Sequence, residues 1–480
     1  MKLKRWLAGL MCIGMMAAAP LGVVSAANST LTGDVDDNGT VDLLDLIMLQ
    51  KWVHGVGSLT ASENADLNAD RVVDVFDLGI MKQWLLNGIR PQYYAYDLNR
   101  NIKAGDTKGL DPDEEFELSQ TKFAISLLQE TAEDGRNVLI SPYSVMQALS
   151  MTANGAKGNT LEEMEQALGG TSIDRLNQYL YTQRTSQPDD EKCKLLTANS
   201  IWIRDDADRI KVNEDFLQKN ANYYGAAAYL APFDDTTVRD INTWIDNNTD
   251  HMIPKILDEI KGEEVMALVN AVTFDAKWDM PYDEYMVNDL TFTAADGTEQ
   301  EAEMLCDEEH FYLEDEHATG FLKTYQGGRY AFAALLPEEG MTTKEYINTL
   351  TPEGLHKTLA EPSKESVMTQ LPKFEYDYSE MLNNAFQNMG MEQAFTVDAD
   401  FSDMAWTSSG ILFISRILHK THISVTEEGT RAGAATVVMM ADKAMMMEPK
   451  KVYLDRPFVY CIVDRDTSLP VFIGTVETLA

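Results

Sequence analysis

Two stretches near the N-terminus carry oxygen-bearing side chains at a spacing suited to a hard cation. The first sets Asp34, Asp36, Asn38, Thr40, Asp42 and Asp45 at positions one, three, five, seven, nine and twelve of a loop. A second set, Asp66, Asn68, Asp70, Val72, Asp74 and Asp77, repeats the pattern at a 32-residue offset. At position seven the ligand is a backbone carbonyl, so Val72 serves as well as Thr40. Ca2+ collects its oxygen ligands in this way, and two Ca2+ sites are expected. Val41 and Val73 supply the apolar residue that pairs the loops. Each loop runs into an apolar-periodic segment expected to be helical, Leu43–Val53 and Val75–Leu86. Arg71 stands where the first loop has Gly39, at a turn that favours positive φ. The second site is therefore expected to hold its ion more weakly or in altered geometry.

The other unusual stretch lies near the C-terminus, from Glu427 to Met447 (EEGTRAGAATVVMMADKAMMM). Gly429, Ala432, Gly433, Ala434 and Ala435 carry little to pack, and two glycines weaken any helix. Residues 434–440 then become apolar and β-prone. In a strand, Thr430, Ala432, Ala434, Thr436, Val438 and Met440 would share one face, all of them small or apolar. This reads as a loop able to become a strand. A mobile Ala/Gly linker would share the composition, and the pattern alone leaves both readings open. No GxSxG elbow, HExxH helix or phosphate-binding loop marks the chain as an enzyme.

The elements around these stretches follow from composition and pattern. A length of 480 residues points to two folded units. A formal charge of −38 argues against nucleic acid or an anionic membrane as partner. Residues 1–27 read as a cleaved export signal: Lys2, Lys4 and Arg5, then an apolar run, then Val24-Ser25-Ala26. A secreted, extracellular protein is expected. Without Cys12 three cysteines remain, Cys193, Cys306 and Cys461, too few and too odd for a disulfide framework. They read as buried free thiols. Residues 30–90 form the calcium-loop module, 91–113 a tether with Tyr93, Tyr94 and Tyr96, and 114–480 a large domain. In that domain Phe116–Glu130 is helix-periodic, Asn137–Ile140 is a buried strand, and Pro142 opens a helix. Thr160 and Glu163 are spaced as a capping box. Leu195–Ile203, Val265–Phe274, Tyr330–Leu336, Val367–Phe374, Phe458–Val463 and Val471–Val476 read as strands, and Tyr378–Met389 as a helix. The class is α+β with large, mostly antiparallel sheets.

The duplicated loop with Asp at position twelve, in a module of this size, resembles the dockerin family. The resemblance implies a small all-α module that docks, with Ca2+ bound, onto a cohesin domain of a cellulosome scaffold, in a polysaccharide-degrading complex. It implies partner contacts at Leu43, Leu44, Val75 and Phe76, positions that would equally suit the core of the module itself.

SPYSVMQALSMTANGAKGNTLEEM, NAVTFDAKWDMPYD, LPKFEYDYSEMLNNAFQNMGM, ILHKTHISVTEEGTRAGAAT and DRPFVYCIVDRDTSLPVFIG follow one another through the large domain. In these stretches and their order the domain resembles the serpin family. The fold implied has three β-sheets, eight or nine helices and an exposed reactive loop, which is the Glu427–Met447 stretch. The mechanism implied is suicide inhibition of a serine protease: the target cleaves the loop, an acyl-enzyme forms, and the loop inserts into the main sheet. Glu428, Gly429, Thr430, Ala432, Ala434 and Thr436 are then the hinge. Arg431 replaces an acidic residue common in the family but lies on the opposite face. Family spacing from the hinge glycine puts the reactive bond at Lys443–Ala444, implying a trypsin-like target. Cleavage at Met440 or within Met445–Met447 would instead suit chymotrypsin-, elastase- or subtilisin-like proteases, and both remain open. Ser141, Ser144, Asn270 and His419 match the polar cluster called the shutter, and Trp278 the tryptophan where the loop first inserts. A non-inhibitory serpin that only binds or scaffolds is the competing reading, and the small hinge residues argue against it. A monomer is expected.

Overall fold

A computed structural model describes residues 33–38, 41–67, 72–87, 95–98, 102–187, 193–430 and 449–479. In the N-terminal module, helices Leu43–Val53 and Val75–Asn87 pack around Val35, Leu49, Ala65, Leu67 and Met81. Asp42 caps the first helix: Leu44 N donates to its Oδ1 (2.6 Å), while Asp42 N donates to Asp45 Oδ2 (2.8 Å). The repeat preserves this local chemistry. Phe76 N donates to Asp74 Oδ1 (2.8 Å) and Asp74 N to Asp77 Oδ2 (2.8 Å).

The larger body is built on three sheets, and the described residues also include a two-stranded ribbon, Ile210–Val212 with Ala405–Thr407. The main sheet has seven strands in the spatial order Tyr96–Asp97, Ala227–Ala231, Cys193–Arg204, Met266–Lys277, Gly429–Thr430, Leu418–Val425 and Phe374–Met381. A six-stranded sheet contains the wholly buried strands Tyr330–Pro337, Phe458–Asp464 and Leu469–Val476. A four-stranded sheet joins Lys450–Tyr453, Val367–Pro372, Glu299–Glu309 and Val287–Thr293. Among the described residues all strand pairings are antiparallel except Cys193–Arg204 with Ala227–Ala231 and Val367–Pro372 with Lys450–Tyr453. Nine α-helices among the described residues, from Glu114–Thr131 to Asn383–Asn388, cover the sheets. Asp113 caps the first of these, and Ser141, followed by Pro142, caps Pro142–Ala153.

Four local expectations are corrected. Residues 378–381 belong to the Phe374–Met381 strand, and the helix begins only at Asn383. Pairing of Tyr376 with Ile423 and Tyr378 with Thr421 outweighs the helical pattern there. Val367–Phe374 is two strands in different sheets, broken at Lys373. Thr160 lies inside the helix Gly158–Ala167 and not at its cap. It is buried and donates to Gln393 Oε1 (2.8 Å). Composition leaves the order of the tether open, and its described residues are bonded to the larger body. Tyr96–Asp97 adds an edge strand beside Ala227–Ala231, and Ala95 N donates to the buried Asp240. Lys103 O, Gly105 N and Leu110 N bond in turn to Gln218, Asn222 and Gln178. Cys193 and Cys461 are buried, as expected, whereas Cys306 is only partly buried.

Candidate functional site

Among the described residues, the two central strands of the main sheet share a partner only at the hinge. Strands Met266–Lys277 and Leu418–Val425 flank the two-residue hinge strand Gly429–Thr430, which among the described residues is what joins them in the sheet. Gly429 faces Lys277, while Thr430 faces Ala276 on one side and Val425 on the other. Gly429 has φ +156°, and a Cβ there would come within 2.2 Å of Ala276 O. Glycine is thus the residue that lets the chain turn between the two strands. Thr430 is buried and its Oγ1 bonds Tyr325 Oη at 2.7 Å. Tyr325 stacks on Trp278, whose Nε1 donates to Thr426 O and whose backbone N–H donates to Glu428 O, both at 2.9 Å. Lys373, at the break between two sheets, pairs with Glu427 at 2.8 Å and Glu303 at 3.3 Å. The ammonium holds the Glu427 carboxyl below the usual range.

Farther along the gap, the N-terminus of the Pro142–Ala153 helix ties the two strands together. Ser144 Oγ donates to Asn270 Oδ1 on one strand, and Ser141 N donates to His419 Nε2 (3.1 Å) on the other. Ser141 Oγ donates to Val471 O (2.8 Å), and Asn270 Nδ2 donates to Asn199 Oδ1 (2.6 Å). Asn199 continues to Gln147 Oε1 (3.0 Å). As an acceptor at Nε2, His419 is the neutral tautomer, and burial pulls its pKa down to about 4. Beside this network a cavity of about 190 Å³ lies between Met266–Asn270 and Ile414–His419, floored by Ala148, Leu149 and Met404.

In the first calcium loop, carboxylate oxygens of Asp34, Asp36 and Asp45 lie within 4.8 Å of one another. Burial raises the Asp45 carboxyl, and burial together with Asp34 raises that of Asp36. Three crowded carboxylates of this kind fit a divalent cation, which would offset both penalties. In the second loop Asp66, Val72, Asp74 and Asp77 are described, and Leu67 N donates to Asp77 Oδ1 as Val35 N does to Asp45 Oδ1. Leu43, Leu44, Val75 and Phe76 are 63, 57, 63 and 69 % exposed. They do not form the core of the module, which removes that alternative.

Several predicted positions lie outside the described residues: the 1–27 signal, Thr40, Asn68, Asp70, Arg71, Ala432, Ala434, Thr436 and the Lys443–Ala444 bond. Sequence reasoning missed Asn199, Gln147, Tyr325 and Lys373. Asn199 left a usable signal, an amide side chain inside the strand-like run LTANSIWI. Lys373 left none, because a lysine between strands reads as surface.

Comparison with known proteins follows this geometry. The serpin (serine protease inhibitor) family matches residues 118–479, and the dockerin type I domain matches 32–86. The chain belongs to the serpin family and carries an N-terminal dockerin module. Its relatives include an uncharacterised serpin-like protein of Thermococcus kodakarensis, 31 % identical over 73 % of this chain and 83 % of that one. A serine protease inhibitor of Cyanea capillata is 28 % identical over 75 % of this chain and 96 % of its own length. Among solved structures, the thermophilic serpin tengpin in its native state is 44 % identical, with a TM-score of 0.76 over 80 % of this chain and all of tengpin. Tengpin's latent state gives 0.70 over 78 % of this chain. Family membership places the chain among protease inhibitors and not enzymes, with a protease and a cohesin as the kinds of partner implied.

Two outcomes are expected. Gly429→Ala should destabilise the native form by about 1–3 kcal/mol through backbone strain, read as a lower urea midpoint, and an unchanged midpoint would contradict the hinge geometry. His419 stays neutral in the folded protein down to about pH 4 but takes a proton near 6.5 when unfolded. Folded stability should therefore fall as pH drops from 6.5 towards 4, and His419→Gln should flatten that part of the profile. An equally steep profile in the variant would show that other groups carry the dependence.

Proposed function

We propose that this protein is a secreted suicide inhibitor of serine proteases, held on a cellulosome by its calcium-loaded dockerin module. The observation that carries this reading is the two-residue hinge strand, which among the described residues alone joins the two central strands. Continuing its register, each step along the loop moves one step down both neighbours, since both pairings are antiparallel. Thr436 would then lie between Asn270 and His419, and Met440 would face Met266, the far end of that strand. On Thr430's face the incoming side chains are Ala432, Ala434, Thr436, Val438 and Met440. The small residues pass beneath the head of the sheet, Thr436 meets the polar cluster, and Val438 with Met440 reach the apolar cavity. Composition and destination agree.

A reactive bond at Lys443–Ala444 lies just beyond the strand's end in this register. A protease acylated at Lys443 would be carried about 40 Å from the head of the sheet. The Lys443 ammonium suits the acidic specificity pocket of a trypsin-like target. Leu43, Leu44, Val75 and Phe76 supply the exposed apolar contacts for a cohesin. Ca2+ occupies both loops, with the second site altered by Arg71. The chain acts as a monomer, and the inhibitor shields its host complex from proteolysis.

Mixing the protein with trypsin and with subtilisin, followed by denaturing electrophoresis and mass analysis, tests the inhibitory half. The expected result is a covalent band with trypsin and a released peptide beginning at Ala444. Thr436→Arg should turn the protein into a substrate, with the covalent band reduced several-fold. Cleavage by both enzymes without such a band would favour a non-inhibitory serpin. For the docking half, EGTA should release the protein from a cohesin-bearing scaffold, and retention would contradict calcium-dependent docking.

A further inference from the structure

Lys323 is a charged residue where its strand meets no water. It lies in Ala318–Thr324 next to the buried Phe321 and Leu322, and its side chain is 2 % exposed. Nζ is 2.5 Å from Glu309 Oε1 and 3.8 Å from Asp307 Oδ2, both on the Glu299–Glu309 strand of the four-stranded sheet. A buried ion pair is a poor source of stability, because an apolar pair of similar volume usually serves as well or better. The charge therefore asks for a use other than packing.

Its surroundings supply one. On its other side the ammonium lies 4.2 Å from the ring centroid of Tyr282 and 5.7 Å from that of Trp278. A cation near desolvated aromatic faces is attracted to them, so Glu309 and Asp307 fix the ammonium and the ammonium fixes the rings. Those two residues hold the turn before the hinge. Trp278 N donates to Glu428 O and Tyr282 N donates to Glu427 O, each at 2.9 Å, beside the Trp278 Nε1 bond to Thr426 O. The charge on Lys323 thus stands two contacts from the backbone that leads into Gly429 and Thr430.

We propose that Lys323 is a positioning residue for loop insertion: clamped by Glu309 and Asp307, it steadies Trp278 and Tyr282 and so keeps the 426–428 turn aimed into the central gap. This rests on the insertion reading above. Loss of the clamp leaves the protease-binding end of the loop intact but slows the first step of insertion, so more of the acyl-enzyme is hydrolysed, freeing active protease and leaving cleaved serpin.

The test uses the full chain with K323M, K323R and the double variant K323M/E309Q, which leaves no unpaired Glu309 charge if K323M alone folds poorly. Hydrogen exchange followed by mass spectrometry is read at 278–282 and 426–430, with Tyr330–Pro337 as reference. In K323M and in the double variant the hinge amides should exchange at least tenfold faster while the reference strand keeps its protection. K323R should restore the slow rate. The number of inhibitor molecules consumed per protease trapped should rise several-fold, with the association rate within twofold of the parent. Unchanged hinge exchange would overturn the assignment even if thermal stability falls. Uniformly faster exchange would do the same, marking a merely structural pair. Faster hinge exchange in a protein whose parent traps no protease would sink the insertion reading and leave the positioning role standing.

Discussion

The arrangement depends on one constraint: among the described residues, two strands at the centre of the main sheet share a partner only at the hinge. Strand edges that face each other unpaired are costly, since each residue leaves a donor or acceptor without its ladder. Here, among the described residues, Met266–Lys277 and Leu418–Val425 share Gly429 and Thr430 alone. Among the described residues, side chains and a cavity lie along the rest of that seam.

Two devices hold the gap in place. At the head, Tyr325, Trp278, Tyr282 and Lys373 fix the turn and the first hinge residues through hydrogen bonds and a salt bridge. Midway, the helix beginning at Pro142 reaches one strand through Ser144 and the other through Ser141. Both devices are polar and local, and a strand arriving between the two edges would compete with them by offering a continuous ladder. On the proposed reading the native state is a held intermediate of the sheet, and residues 434–440 are its reserve strand. The dockerin module adds location, since its chemistry is confined to its own duplicated loops.

Much of this was legible because function has constrained composition where packing has not. The Asp34–Asp45 and Asp66–Asp77 loops are readable from oxygen spacing alone, and the Gly429–Met440 stretch from small residues followed by β-prone ones. Order in the tether was hidden, because the bonds made by Lys103, Gly105 and Leu110 are backbone contacts that leave little trace in residue type. Tyr378–Met389 misled because its apolar spacing fits a helix as well as a strand, and only the partner strand decides. Thr160 was taken for a cap because Thr-x-x-Glu is common. Its hydroxyl instead answers Gln393 and the N–H of Asp400, far away in sequence. Lys323 was invisible for a related reason, since a lone lysine in a strand is indistinguishable from a surface charge until its carboxylates arrive from another sheet.

The central claim is that residues after Thr430 can become the missing strand. Limited cleavage within 431–448, followed by thermal unfolding of intact and cleaved protein side by side, measures it most directly. Insertion would complete the ladder on both edges and fill the cavity, so the cleaved form should melt at a sharply higher temperature. A cleaved form melting at or below the intact temperature would contradict the account.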